Sequence, residues 1–312
     1  MKKKLYIAIC LVLLPSILYL AFYFLNDPHG YFGDTNKDSW VLIDNMLDWK
    51  NGDYNALLIG DSRLTSFDET YIQELNKATG YTFKNMSYGG AMQTEMNYLT
   101  NWSLDQKPGE VKSVIIVTGW YNLNELLQQN RVKSTEKIIE NPLSYAFSIN
   151  NMQDMVEKLR NSNGDDEEIV DNFEISPEEK IEHFKIEWKS MSKYLKNYKF
   201  DEDVFNGLAS ISNRCQDEGI DLKVVVPPWV DNFWEDLSEL GEYDTESYKR
   251  ELSKVVNIYD MEFKECELSH RYEDFSDYSH FHDRTYEDFS NELIYSTTRY
   301  SRLWHNHQLV TE

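Results

Sequence analysis

Three residues of this sequence, a serine, an aspartate and a histidine, are of the types that together perform nucleophilic catalysis. Ser62 comes just after an apolar run, Ala56–Ile59, and Asp277 and His280 stand close together near the other end of the chain. Their spacing puts a carboxylate and an imidazole on one side of a turn, where the carboxylate can orient the ring. A serine hydroxyl is a weak nucleophile near neutral pH, and histidine is a base of suitable pKa. The three residues therefore predict acyl transfer, with Ser62 as nucleophile and His280 as its base.

An alternation of short apolar runs and helical segments must position these residues, and it is typical of an α/β fold with a parallel sheet. Ligands bind at the carboxyl edge of such a sheet, which is where Ser62 is expected. A helix starting there would offer N–H groups and its dipole to an oxyanion, although Asp61 or Ser62 could simply cap that helix. The candidate strands are Tyr54–Ile59, Thr82–Met86, Ser113–Thr118, Leu222–Val226 and Ile258–Phe263.

The pattern Gly60-Asp61-Ser62 after the first strand, with Asp277-x-x-His280 near the C-terminus, resembles the SGNH/GDSL hydrolase superfamily. It is most similar to the membrane-anchored DltD-like and alginate O-acetylation-like branches, over about residues 54–296 apart from an insertion. The resemblance implies a three-layer α/β sandwich with a central, mostly parallel sheet, as in SGNH and flavodoxin-like folds. It also implies a triad of Ser62, Asp277 and His280 and no cofactor.

The resemblance further places three oxyanion-hole donors, which are the backbone N–H groups of Ser62 and Gly89 and the side chain of Asn122. Gly89 is preferred to its neighbour Gly90 in the turn after the second strand. In the family's usual Gly-x-Asn-Asp motif, the asparagine stands one residue earlier than Asn122 does here. Asn124 is therefore a second candidate for this oxyanion donor. Each position has a simpler interpretation, because glycines often serve turns and asparagines often cap helices.

Two further residues are candidates for substrate binding. Arg63, beside the nucleophile, could neutralise an anionic donor or acceptor, or could form a surface ion pair. The passage Val224–Trp229 resembles the strand-to-loop segment that walls the site in DltD-like proteins. Trp229 is therefore predicted either to stack on a sugar ring or to cover the core.

The N-terminal stretch differs from the rest of the chain, because Leu5–Leu25 contains no charged residue. At ~1.5 Å per residue a helix of this length covers ~30 Å, the thickness of a bilayer core. Lysines at positions 2–4 predict a cytoplasmic N-terminus. The stretch offers no small-x-small cleavage site, so an uncleaved anchor over residues 1–26 is preferred to a signal peptide. Residues 27–312 would then form one extracytoplasmic domain.

Residues 126–198 contain no strand-like run and predict a mainly helical insertion with a solvated loop at Asn161–Glu168. The insertion could gate substrate, dock a partner or be a plain surface elaboration. Ser176 is the predicted N-cap of one long helix. Asp201 is the predicted N-cap of another, which Gly219 ends.

The formal net charge of −23 at pH 7 excludes nucleic acid as a partner. Cys215 and Cys266 could pair in an oxidising compartment or be two buried thiols. His280 and His282 are separated by one residue and lie close in sequence to other potential ligands. A metal site must therefore be considered. No HExxH or paired-cysteine spacing accompanies them, so no metal is predicted.

The resemblance implies a function outside the cell membrane. The expected reaction is O-acylation, with acetyl or alanyl groups, of a cell-surface polysaccharide or teichoic-acid-like polymer. The implied partner is an acyl exporter of the membrane-bound O-acyltransferase type. One alternative is a carbohydrate or lipid esterase in which water accepts the acyl group. A second is a non-catalytic polysaccharide-binding or assembly protein with the same fold.

Overall fold

The computed structural model describes residues 13–23, 41–141 and 177–310. These residues fall into two compact units. One contains the described residues before position 49 together with residues 132–141, and the other contains residues 49–131 and 177–310. All the strands and all the candidate site residues belong to the second unit.

The second unit is built on one mixed sheet. Its strands are β1 Ala56–Ile59, β2 Phe83–Asn85, β3 Ser113–Val117, β4 Asp221–Val226, β5 Asn257–Asp260, β6 Arg302–His305 and β7 Gln308–Val310. The spatial order is β2-β1-β3-β4-β5-β6-β7, and β1 to β5 are mutually parallel. Leu58 lies beside Asn85 on one side and Ile115 on the other, so these strands end at a common edge.

The predicted α/β class with a parallel sheet is confirmed, and each of the five predicted strands overlaps an observed one. β1 and β3 are buried along their whole length, which explains why their sequences are unbroken apolar runs. The antiparallel hairpin of β6 and β7 was not predicted. Its strands are short and contain both polar and apolar residues, and its turn residues Asn306 and His307 adopt positive φ angles of 48° and 66° without the glycine that marks such turns.

Besides the helical residues 13–23, the described residues form nine α-helices, most of which belong to the unit that contains the sheet. They are α1 Val41–Asn51, α2 Glu69–Thr79, α3 Gln93–Gln106, α4 Arg131–Glu140, α5 Pro177–Leu195, α6 Glu202–Glu218, α7 Asp231–Leu240, α8 Ser247–Leu252 and α9 Asp283–Tyr295. The predicted α6 signals are confirmed. Asp201 accepts a hydrogen bond from Val204 N at 3.0 Å, and Gly219 ends the helix with φ of 69°.

Several predictions about the termini and the insertion fall partly or wholly outside the described residues. Residues 13–23 are helical, and the remainder of the predicted span at Leu5–Leu25 is not described. In the part of the chain that is described, no helix has the length and apolar character needed to cross a membrane. The loop Asn161–Glu168 and the cap Ser176 also lie outside the described residues, and the described part of α5 runs from Pro177.

Candidate active site

Ser62, His280 and Asp277 form a continuous hydrogen-bonded chain at the carboxyl edge of the sheet. His280 Nε2 lies 2.6 Å from Ser62 Oγ, and His280 Nδ1 lies 2.5 Å from Asp277 Oδ2. The serine follows β1, and the other two residues lie in the loop after β5. The structure therefore brings together the three residues that the sequence predicted as a triad, with each atom in the order that serine activation requires.

The turn that carries Asp277 and His280 is stabilised by the carboxylate itself. Asp277 Oδ1 accepts hydrogen bonds from Ser279 N at 2.8 Å and His280 N at 2.7 Å, while Oδ2 contacts the ring. Burial opposes ionisation, but the hydrogen bond and charge of His280 lower the pKa of Asp277. Burial likewise opposes protonation of His280, but Asp277 raises the pKa of the imidazole. The pair therefore favours a charged imidazolium, the state His280 reaches after taking a proton.

The backbone around Ser62 is tightly turned. A Cβ on Gly60 would lie 2.6 Å from the side chain of Leu64, so a larger residue at this position would require the buried Leu64 side chain to shift. Ser62 begins a single 3₁₀ turn, Ser62–Leu64, and α2 starts only at Glu69. The predicted oxyanion support from a helix dipole is therefore absent at this point, because no α-helix starts there. The N–H of Ser62 makes no hydrogen bond with any described residue and remains as a donor.

Asp61 and Arg63 form a buried ion pair directly under Ser62. Arg63 Nε and Nη2 donate to the Asp61 carboxylate at 2.9 and 2.7 Å, and Asp61 also caps the 3₁₀ turn. Burial alone would raise the pKa of Asp61, but the Arg63 guanidinium holds it below its ordinary value. The positive charge of Arg63 is thus already neutralised, which argues against its predicted role in binding an anionic substrate.

Asn122 lies at the site, but its side chain serves this ion pair. Its Oδ1 accepts from Arg63 Nη2 at 2.8 Å and Gly119 N at 3.2 Å. Its Nδ2 donates to Asp61 Oδ2 at 3.0 Å and to Ala91 O at 3.3 Å. Because both amide hydrogens are used within the protein, the geometry gives Asn122 a positioning role rather than the predicted role of oxyanion donor.

The competing residue Asn124 is fully buried away from the site. Its side chain accepts from Leu126 N at 3.2 Å and donates to Tyr194 O at 3.4 Å. In the turn after β2, Gly90 and Ala91 line the cavity beside Ser62, and Gly89 does not. Gly90 also has φ of 65°, which favours glycine. Gly90, which lies at the cavity, therefore replaces the predicted Gly89 as our candidate for the backbone oxyanion donor of this turn.

A buried carboxylate fixes this glycine turn. Arg131 Nη2 donates to Gly90 O at 2.8 Å, and Nη1 donates to Gly89 O at 3.3 Å. The same guanidinium donates to Glu95, whose side chain is fully buried, at 2.8 and 2.9 Å. Since both glycine carbonyls are held on the Arg131 side, the turn is fixed relative to α3.

Two cavities meet at Ser62, Arg63 and His280. The larger has a volume of about 500 Å³, and its outer wall contains Tyr71, Phe281, His282, Asp283 and Tyr286. The smaller has a volume of about 180 Å³, and its outer wall contains Gly90, Tyr121, Glu187, Met191 and Trp229. A group bound to Ser62 Oγ can thus be approached from two sides.

Trp229 belongs to the wall of the smaller cavity and not to an exposed platform. It is 2% exposed, stacks on Phe233 at 4.1 Å and donates to Glu262 Oε1 at 2.9 Å. Glu262 also accepts from Trp120 N, and Lys249 lies 3.3 Å from it. Of the two predicted roles, the structure favours a cover on the core, because so little of the indole is accessible to a sugar.

The cysteines lie apart from this chemistry, whereas His282 lies in the wall of the larger cavity. Cys215 and Cys266 are free and buried, and burial raises the pKa of each thiol to about 11. His282 Nδ1 lies 2.8 Å from Asp283. Within the described ranges, no group of three or more potential ligands is arranged to hold a metal ion.

Sequence reasoning missed Glu187, which lines the smaller cavity from α5. It stands among many charged residues, so nothing in the local pattern distinguishes it.

No protein-family model matches this chain, and no curated protein matches it in sequence. The geometry of the site's own residues supports proton transfer from a serine hydroxyl to an imidazole.

Replacing Arg63 with methionine is expected to lower the free energy of unfolding by about 3–5 kcal/mol, because Asp61 is left as a buried, unpaired carboxylate. The depressed pKa of Asp61 means that the pair stabilises the fold above the unfolded-state pKa and loses its effect as pH falls through the folded-state pKa. In the variant, burial raises the pKa of the unpaired Asp61, so the defect should shrink as the pH falls toward about 4 and shrink further below it. Denaturant unfolding at several pH values measures it.

The matched control for this prediction is Lys254→Met, which removes the exposed ion pair of Lys254 with Glu251. It should leave the unfolding midpoint close to that of the wild type. Equal midpoints for Arg63→Met and the wild type at neutral pH would contradict a stabilising role for the buried pair.

Proposed function

We propose that this chain is an SGNH-type serine acyl-transfer enzyme that O-acylates a cell-surface polysaccharide or teichoic-acid-like polymer outside the membrane. The observation that carries the proposal is the hydrogen-bonded chain from Ser62 Oγ through His280 to Asp277. The strand order of the five parallel strands, β2-β1-β3-β4-β5, supports a flavodoxin-like sheet of the SGNH kind. The charge of −23 is consistent with a partner other than nucleic acid.

In the first half-reaction, Ser62 Oγ attacks the carbonyl carbon of the acyl donor. His280 Nε2 takes the hydroxyl proton, and the carboxylate of Asp277 stabilises the resulting imidazolium. The negative charge that develops on the carbonyl oxygen is held by the N–H groups of Ser62 and Gly90. Collapse of this intermediate breaks the bond to the leaving group, which receives the proton from His280, and leaves the acyl group on Ser62.

In the second half-reaction, neutral His280 removes a proton from the acceptor hydroxyl as its oxygen attacks the acyl-enzyme. The bond to Ser62 Oγ then breaks, and His280 returns the proton to the serine. The new ester leaves with the acceptor, and the enzyme regains its starting state. A sugar hydroxyl as acceptor makes the enzyme a transferase, and water makes it an esterase.

The two cavities support transfer to a sugar, because they give the donor and the acceptor separate approaches to Ser62. The larger cavity presents the ring of Tyr71 beside that of Tyr286, at a centroid distance of 5.7 Å. Aromatic rings at a polar cleft suit the apolar faces of a sugar. We assign the acceptor to this cavity and a short acyl group, acetyl or alanyl, to the smaller one. The acyl donor is a membrane-bound O-acyltransferase-type exporter, beside which the N-terminal anchor would hold the enzyme.

Tyr71→Ala is expected to raise the KM for an oligosaccharide acceptor about three- to tenfold, since it removes one stacking ring from the acceptor cavity. The release of p-nitrophenol from p-nitrophenyl acetate in the absence of sugar should change little. The measurement is acetyl transfer to the oligosaccharide by the full-length protein in mild detergent, followed by mass spectrometry. Tyr295→Ala, which alters an exposed tyrosine at the end of α9, is the matched control.

The outcome of this assay separates the candidate functions. Ser62-dependent acetylation of sugar that weakens in Tyr71→Ala supports the transferase. Ser62-dependent release to water, with no acetylated sugar at any acceptor concentration, would replace it with an esterase. Binding of polysaccharide without any Ser62-dependent turnover would replace both with a binding or assembly protein.

A further inference from the structure

Helix α5 lies along the loop that carries Asp277 and His280. Lys180, His183 and Glu187 of this helix are separated by three and then four residues, which places their side chains on one helical face. Each binds the main chain of the loop: Lys180 Nζ donates to Tyr272 O and Glu273 O, His183 Nδ1 contacts Ser276 O, and Glu187 Oε2 accepts from Tyr278 N. The contact of Glu187 with Tyr278 N is 2.9 Å long and lies next to Asp277 in the chain.

Aromatic packing fixes the same two elements together. Phe184 on α5 lies 5.1 Å from the ring of Tyr272 and 5.0 Å from the ring of Tyr278. Trp188, one turn further along, lies 5.5 Å from Tyr278. Phe184 is buried, so this packing contributes to holding the loop as well as to the core. The helix therefore has both polar and apolar contacts with the loop of the triad.

Glu187 extends from this helix into the smaller cavity, which Ser62 and His280 also line. Burial and the charge of Asp277 raise the pKa of Glu187 to about 7, against the opposing effect of its hydrogen bond from Tyr278 N. The ionisable groups that interact with it are Asp277, His280, His183, Tyr278 and Tyr121. The paired charges of Asp61 and Arg63 line the same cavity and also act on His280.

We propose that Glu187 is a positioning residue, whose carboxyl group holds the loop of Asp277 and His280 and whose ionisation is coupled to that of His280. This rests on the proposed role of His280 as the base. Through Glu187, the insertion that contains α5 helps to position the loop of the triad and is more than a surface elaboration.

The coupling follows from reciprocity between two interacting ionisable groups. Protonated His280 favours the ionised form of Glu187, so ionised Glu187 must favour protonated His280 by the same free energy. Ionised Glu187 therefore makes His280 a stronger base but leaves less of it neutral at a given pH. A neutral side chain of the same shape at position 187 should therefore lower the pH at which His280 titrates.

Three variants of the full-length protein separate the two effects. Glu187→Gln keeps an acceptor for Tyr278 N but removes the charge, whereas Glu187→Ala removes both. Glu182→Gln removes a charge from an exposed position on the same helix and is the matched control. The readouts are the NMR titration of the His280 ring, assigned with His280→Gln, the pH profile of kcat/KM, and the thermal midpoint.

In Glu187→Gln, the His280 titration midpoint and the acid limb of kcat/KM should both move to lower pH by about 0.5–1 unit, with the thermal midpoint unchanged. In Glu187→Ala, kcat at the plateau should fall about tenfold, because the loop has lost an anchor next to Asp277. Glu182→Gln should match the wild type in all three readouts.

Overlapping His280 titrations for Glu187→Gln and the wild type would overturn the coupling, and an unchanged kcat in Glu187→Ala would overturn the positioning role. The NMR titration needs no turnover. A shifted His280 midpoint in a protein without Ser62-dependent activity would therefore retain the coupling while rejecting the proposed enzyme function.

Discussion

Ser62→Ala is expected to lower kcat for p-nitrophenyl acetate by about ten-thousandfold or more, because alanine cannot form the acyl-enzyme. The variant keeps the N–H groups of residue 62 and Gly90, so only the small rate that oxyanion stabilisation and binding provide should remain. Substrate binding should be nearly unaffected, and the loss should be seen in kcat. Stopped-flow measurement of p-nitrophenol release gives both the initial burst and the steady-state rate.

The matched control for this variant is Ser238→Ala. Ser238 is an exposed serine on α7, whose hydroxyl donates to Glu235 O within the helix. Its replacement should leave the burst and the steady-state rate unchanged. A Ser62→Ala protein that retains the wild-type burst would show that another group carries the acyl chemistry, and would reject the triad.

Asp277→Asn is expected to lower kcat by about ten-thousandfold at neutral pH. The amide can still accept hydrogen bonds from Ser279 N and His280 N, so the turn should persist. It offers an N–H group in place of a carboxylate oxygen, however, and this favours the His280 tautomer that cannot accept the proton of Ser62. Far-UV circular dichroism should show an intact fold.

The pH dependence tests the same pair. Asp277 raises the pKa of His280 above its ordinary value of 6.5, so in the wild type the acid limb of kcat/KM should have its midpoint above that pH. Loss of the carboxylate should move the midpoint of the residual activity to lower pH. Asp217→Asn, on the exposed face of α6, should leave the profile unchanged. An Asp277→Asn enzyme with the wild-type rate and profile would exclude Asp277 from the mechanism.

The parts of the fold that the sequence predicted are those with a local signal. β1 and β3 are short apolar runs because they are buried along their whole length, and α6 is bounded by Asp201 and Gly219. Ser62, Asp277 and His280 could be placed together because the carboxyl ends of parallel strands share an edge. The edge hairpin of β6 and β7 has no comparable signal, because its strands are short and its turn contains no glycine.

The details that the sequence could not supply are determined by long-range contacts. Nothing in the order of residues shows that the Asn122 amide bonds to the Asp61–Arg63 pair, or that Gly90 and not Gly89 faces the cavity. A shift of one residue in a turn changes which N–H group faces a site, and composition does not record it. Glu187 reaches the site from a helix far from the triad in sequence, so only the folded chain reveals it.

The most direct test of the central claim is to identify the residue that becomes acylated. The full-length protein is mixed with p-nitrophenyl acetate, quenched in acid during the burst, digested and analysed by peptide mass spectrometry. We predict one acetyl group per chain, on Ser62, with none on the Ser62→Ala variant. Continued turnover by Ser62→Ala, or an acetyl group on a different residue of the wild type, would contradict a Ser62 acyl-enzyme.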